Sequence, residues 1–273
     1  MNTVAVPIAA GSRPAETAAT AAVRTMPRRR LWRAYAVEAK YESLRMLRAP
    51  AFAGPFLLLP AGLYLLFGFL LFGAEVAKDP NAALFMFMGF SIMGVMGPGM
   101  FGFGVSVATE REQGLLQLKR ALPAPPGATL LAKMAMAMVF VTIIMASMAA
   151  AAPLGHARLS AAQMFGLALV GIFGSMPFSA LGFFIGSLAS AKSAPAFVNL
   201  LYLPMIYLSG ILIPLPKSAE WISHLSPAWH LKQAALTAIW APSEGSLAVH
   251  LAVLAGVTVA FTAFAVRRLA RHS

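Results

Sequence analysis

An all-α, polytopic membrane protein is the fold class that the 273-residue sequence predicts, and three observations predict it. Hydrophobic residues make up 59% of the chain, only 11% of residues are charged, and the mean hydropathy is +0.76; an ordinary soluble domain has about a quarter of its residues charged. Six stretches are long and apolar enough to cross a bilayer. The basic residues fall almost entirely between alternate stretches, which is the mark of a topology signal.

A helix rises about 1.5 Å per residue and needs roughly 20 apolar residues to cross about 30 Å of hydrocarbon. Residues 51–72, 83–108, 130–152, 163–189, 195–215 and 246–266 meet that requirement. Only Lys133, near the start of the third span, and Lys192, in the short turn between the fourth and fifth, interrupt this part of the pattern. A Lys near a span end can extend its stem and place its ammonium at the interface.

Cationic loops resist translocation, so the Lys/Arg bias orients the chain. With the N-terminus inside, all but four of the 21 Lys and Arg fall on the cytoplasmic side; the exceptions are Lys78, Arg158, Lys217 and Lys232. Glu75, Asp79, Glu220 and Glu244 balance those four, which leaves the whole net charge of +12 inside. The charge encodes topology in the bacterial inner membrane, with both termini cytoplasmic, and not a nucleic-acid surface. The absence of cysteine excludes disulfides and Cys-based metal sites.

Residues 1–27, rich in Ala, Thr and Pro, read as a disordered cytoplasmic tail ahead of one domain, 28–273. Arg28, Arg29 and Arg30 do not open a twin-arginine signal, since Glu38, Lys40 and Glu42 follow where an uncharged core is required. At 100° per residue Trp32, Tyr35, Ala36, Ala39, Ser43, Met46 and Leu47 share one side, which predicts an N-terminal helix lying on the membrane or in cytoplasmic solvent. Between the fifth and sixth spans, Ser226 and Pro227 form a helix start and Pro242 a stop, with Trp221, Trp229 and Trp240 suited to headgroup level. Short outer-leaflet helices, or a cap over the span ends, follow from this.

The loop after the second span reads TEREQGLLQLKRALPAPPGATLLAK. Gly114 permits a turn, and Leu115, Leu116, Leu118 and Leu122 make a short helix apolar on part of its surface among Glu110, Arg111, Glu112, Lys119 and Arg120. Such a helix can seat in a groove on another protein or rest on lipid. The order Glu110, Arg111, Glu112, Gly114, Leu116, Leu118, Pro123, Lys133 resembles the coupling loop of type-2 ABC transporter permeases, with Leu115 where that family often carries Thr. The run holding Pro204, Ser209, Gly210, Pro214 and Pro227 is similar to the family's fifth span and outer segment.

The resemblance implies an exporter built from two permease copies, as a homodimer or heterodimer, and two ATPase chains, with Glu110, Arg111, Glu112, Gly114, Leu116 and Leu118 coupling to the ATPase. ATP then belongs to the partner: no G-x-x-x-x-G-K-[ST] phosphate loop occurs, and no cofactor is expected on this chain. The near absence of ionisable residues within the spans argues against a proton-coupled secondary transporter, though sodium coupling through broken helices and a channel stay open. Aromatic and Met-rich spans fit an amphipathic, drug-like or lipid-like substrate; polysaccharide or copper export by the same kind of permease is the alternative. The sixteen methionines are better read as fillers of apolar helices than as copper ligands, and no acid, base or metal constellation marks an enzyme.

Gly182, Gly186 and Ser190 recur four apart, a spacing that admits close helix packing within the chain or across a dimer. Pro98, amid Gly97, Gly99, Gly102 and Gly104, predicts a kink in the second span. Pro98 and Pro204 are the candidate pathway residues.

Overall fold

The structure, a computed structural model, describes residues 27–121, 127–211 and 220–271. The expected disordered tail lies outside them except for Pro27, as do Leu122, Pro123 and Pro214. The described residues form helices α1 (Arg28–Leu47), α2 (Pro50–Leu71), α3 (Pro80–Glu112), α4 (Leu115–Ala121), α5 (Ala128–Ala151), α6 (Ala161–Gly174), α7 (Met176–Leu188), α8 (Ala194–Leu208), α9 (Glu220–Ser223), α10 (Pro227–Ala238) and α11 (Leu247–Arg271), with one further helical turn, Gly73–Val76, between α2 and α3. No strand occurs among them.

Five helices are long and apolar enough to cross a membrane: α2, α3, α5, the α6–α7 pair and α11. The fifth expected span, 195–215, is the 15-residue α8 over its described part. At about 1.5 Å per residue that is about 22 Å, short of a bilayer core. Pro204 sits inside α8, and the chain leaves it at Ser209 and Gly210, where φ reaches +59°.

The second span runs past the expected end at 108 to Glu112, so the Glu110-Arg111-Glu112 motif lies on the last turn of α3 and not in a loop. The fourth is two helices. Ser175 separates them, and Pro177 in the first turn of α7 supplies no amide hydrogen to the ladder. Ser160 caps α6 by accepting from the Gln163 amide while the Gln163 side chain accepts from the Ser160 amide.

α3 is the central helix: 78% of its apolar window is buried, against 17% for α2 and for α11. At Pro98 it changes to a π-helical stretch, Pro98–Phe103, where the sequence predicts a kink. The widened turn packs on α7 through glycines. A Cβ on Gly182 would stand 2.6 Å from the Met100 carbonyl oxygen and 2.7 Å from that of Gly99, and a Cβ on Gly186 would collide with the Gly104 carbonyl. Phe103 and Phe183 stack beside this contact with centroids 5.0 Å apart.

The face of α1 expected to rest on the membrane is partly used against protein. Ser43 is buried, Tyr35, Ala39, Met46 and Leu47 are half-buried, and the helix packs along α5. Trp32 projects outward, 72% exposed.

Candidate functional site

α1, α3, α4 and α5 meet at one end of the bundle around a set of charges. Lys133, one turn into α5, is wholly buried; its Nζ donates to Glu42 Oε1 at 2.6 Å, to Glu110 Oε1 at 2.9 Å and to Ser106 Oγ at 2.9 Å. Arg45 closes the ring from α1, with Nη2 2.7 Å from both of the same carboxylate oxygens. Two carboxylates and two cations thus balance where single charges are prohibitive. Burial works against the Arg45 charge, and the Coulomb pull of Glu42 and Glu110 overcomes it, raising its pKa above the ordinary arginine value.

Lys119 joins this ring to α4. Its ammonium lies 3.2 Å from Glu38 on α1 and 3.9 Å from Glu110 Oε2, a buried oxygen that accepts no hydrogen bond. α4 is therefore tied electrostatically to α1 and poised next to α3.

The neighbouring motif residues act as clamps on the chain that follows α7. Arg111 donates to the carbonyls of Ser187 and, at 2.7 Å, of Ala189, placing a cation at the negative end of that helix. Glu112 accepts from the Ala191 amide at 3.0 Å. Gly114, with φ +70°, makes the turn into α4 that a side chain would strain. Leu116 packs with Phe103, Val107 and Phe183, while Leu118 points away, 61% exposed. The arrangement presents a short helix with Leu118 turned outward and with Leu116 and Lys119 holding it to α3 and α1.

Residues 34–240 match the family profile described as ABC-2 type transporter. The chain belongs to that family. Among curated proteins, the Bacillus subtilis (strain 168) protein named "Putative transport permease YvfS" is 27% identical over 147 residues, covering 52% of this chain. The chain spans 60% of that relative's length.

In this ABC-2 transporter family member, the other sequence-derived site residues fall in separate places. Gly182 and Gly186 pack inside the chain against α3. Ser190 stands outside α7 in an exposed turn, its Oγ 2.8 Å from Ser193 Oγ. Pro98 is buried against α7. Pro204 lines an apolar cleft of about 760 Å³ between α7, α8 and α11, with Leu181, Phe184, Phe197 and Phe261.

Glu42, Arg45 and Lys119 were not among the site residues expected from the sequence of this ABC-2 protein. On the α1 wheel Glu42 falls next to Tyr35, at the edge of the apolar side, and Lys133 is the lone charge within an expected span. An acid on an apolar face and an unpaired base in a span each call for a partner. That coincidence is the signal in the sequence, but nothing in it brings the two segments together.

Proposed function

We propose that this chain is the membrane-spanning subunit of an ATP-driven exporter, with six spans, both termini cytoplasmic in a bacterial inner membrane, and α4 as the helix that receives motion from a separate ATPase chain. One observation carries the reading: α4 turns Leu118 outward while Leu116 and Lys119 bind it to α3 and α1. A helix merely resting on lipid has no need of that rigid reference, whereas a helix that transmits a push does. Glu110, Arg111 and Glu112 serve the transmission from within, since each holds another part of this chain and not an outside surface.

Lys119 supplies a route for the motion. A small shift of α4 toward α3 exchanges Glu38 for the Glu110 oxygen that accepts no hydrogen bond, so the ends of α1, α3 and α5 feel the displacement. The substrate is amphipathic, drug-like or lipid-like, supported by the apolar cleft beside Pro204, and a second permease copy completes the pathway.

Co-expression with a candidate ATPase chain tests the proposal. Leu118→Asp places a charge in the docking contact and leaves the buried ring intact. The variant is expected to insert normally, to lose the ATPase on purification and to lose ATP-dependent efflux. Retention of both by a folded Leu118→Asp protein removes α4 from the interface.

A further inference from the structure

Three of the five histidines gather at the end of the molecule remote from the Lys133 ring. His250 lies near the start of α11; Arg268, about 27 Å further along the same helix at 1.5 Å per residue, is the residue that approaches the Ser187 carbonyl held by Arg111. His230 is on α10 and His224 just before it. Nothing in the coupling or substrate reading uses these rings.

The hydrogen bonds of the pair allow only one protonation state. A carbonyl oxygen can only accept. His230 Nε2 lies 3.0 Å from the His224 carbonyl oxygen and His250 Nε2 lies 2.6 Å from that of Glu244, so both Nε2 atoms carry hydrogen. The two Nδ1 atoms then face each other at 2.9 Å. Two neutral rings would oppose lone pair to lone pair, and two charged rings would oppose hydrogen to hydrogen with two positive charges. A single proton on one Nδ1, accepted by the other, satisfies all four nitrogens.

We propose that His230 and His250 form a single-proton binding site, an imidazole–imidazolium pair that clips α10 to α11. Trp229 packs against both rings, with centroids 5.0 Å from His230 and 5.4 Å from His250 in edge-type contacts. Among the described residues the surroundings hold little to neutralise a second positive charge. His224 approaches Glu244 at 3.8 Å, Lys232 on α10 donates to the Gly210 carbonyl at 2.9 Å, and Asp79 caps the Asn81 amide. From α6 comes only the neutral Gln163, donating to the Ile239 carbonyl. α7 and α8 carry no Asp, Glu, Lys, Arg or His, and the charges of α11 lie at its other end. Burial lowers the His230 pKa against the opposing His224 carbonyl, with charge on His250 or His224 lowering it further, which keeps the second proton away.

A proton held by both helices resists their separation, and separating them frees it. The clip therefore holds over a window of pH, failing on the alkaline side when the shared proton leaves and on the acid side when a second arrives. The two protons leave in well-separated macroscopic steps that belong to the pair.

The test uses the full chain in lipid nanodiscs, with nitrogen-15 histidine and a metal chelator, at pH 7.5. His230→Asn and His250→Asn assign the signals. The pair is expected to show three protonated ring nitrogens of four, and each single variant to leave one neutral ring with one. Two protonated nitrogens in the intact pair overturn the proposal, and so does a pair signal that appears only with added zinc or copper and no chelator. If either variant fails to fold, a chain with Trp32, Trp221 and Trp240 replaced by Phe reports through Trp229 alone. Two fluorescence steps separated by a plateau across neutral pH are expected; one step near 6.5, the ordinary imidazole value, overturns the proposal.

Discussion

Lys133 and Glu42 stand 91 positions apart in the chain and 2.6 Å apart in space, joined by a buried ion pair. With Arg45 and Glu110 they form a neutral ring fastening α1 to the ends of α3 and α5. Removing one partner from a buried pair leaves an uncompensated charge, which typically costs about 3–5 kcal/mol. Lys133→Met is expected to reduce stability by that order, read by thermal unfolding in detergent. Adding Glu42→Gln should recover part of the loss, because one of the two stranded carboxylates is then neutral. A stability unchanged in Lys133→Met means the ring contributes nothing.

Gly182→Ala is expected to destabilise by about 1–3 kcal/mol, the usual range for overpacking, since the added carbon meets the Met100 and Gly99 carbonyl oxygens and not a movable side chain. Gly256→Ala, on a helix position with open space around it, is the control and should be near neutral or slightly stabilising. Equal effects of the two would place the α3–α7 contact elsewhere. If Gly182 served a dimer instead, its substitution would lower dimerisation at unchanged monomer stability.

Acid should weaken the α10–α11 end. The folded-state pKa of His230 is lowered, by burial first, while the unfolded ring titrates near 6.5. Between those two values the unfolded chain binds more protons, so on the acid side of the clip's window stability falls as pH drops below about 6.5 through the lowered value. Thermal unfolding from pH 8 down to 5 should show this loss in the intact chain and a smaller one in His230→Asn. An identical profile in both would exclude His230 as the cause.

Filling the cleft tests its part in transport. Leu200 lines it and is exposed, so Leu200→Trp adds bulk toward the open space and disturbs no packed core. Efflux of an amphipathic substrate is expected to fall several-fold, with ATPase retention unchanged. Normal efflux for all tested amphipathic compounds would remove the cleft from the pathway.

The helical class, the apolar stretches and the punctuation at Pro98 and Pro227 were legible in the sequence. Each follows from local properties: length of an apolar run, a cap, a missing amide hydrogen. The fifth stretch shows the limit of that reading. Composition makes 195–215 one apolar run, yet Pro204 and the turn at Ser209 and Gly210 limit α8 to 15 residues. Ser226 is a similar case. It sits at the N-cap of α10 as its residue type suggests, but its hydroxyl lies 2.9 Å from Ser209 Oγ and caps nothing.

By itself the sequence determined that this chain is a bundle of apolar helices with its positive charge gathered in alternate loops, because hydropathy and charge act residue by residue. It also placed Glu110, Arg111 and Glu112 next to an amphipathic segment. Only the tertiary structure decided what those residues touch. Glu110 turns inward to Lys133, Arg111 holds the end of α7, and Leu118 alone of the motif is strongly exposed and apolar. The pairing of His230 with His250 was likewise invisible, since the nitrogens that meet at 2.9 Å come from helices whose relative placement is set by packing of the whole bundle. Local pattern chooses the helix; long-range packing chooses which side chains become partners.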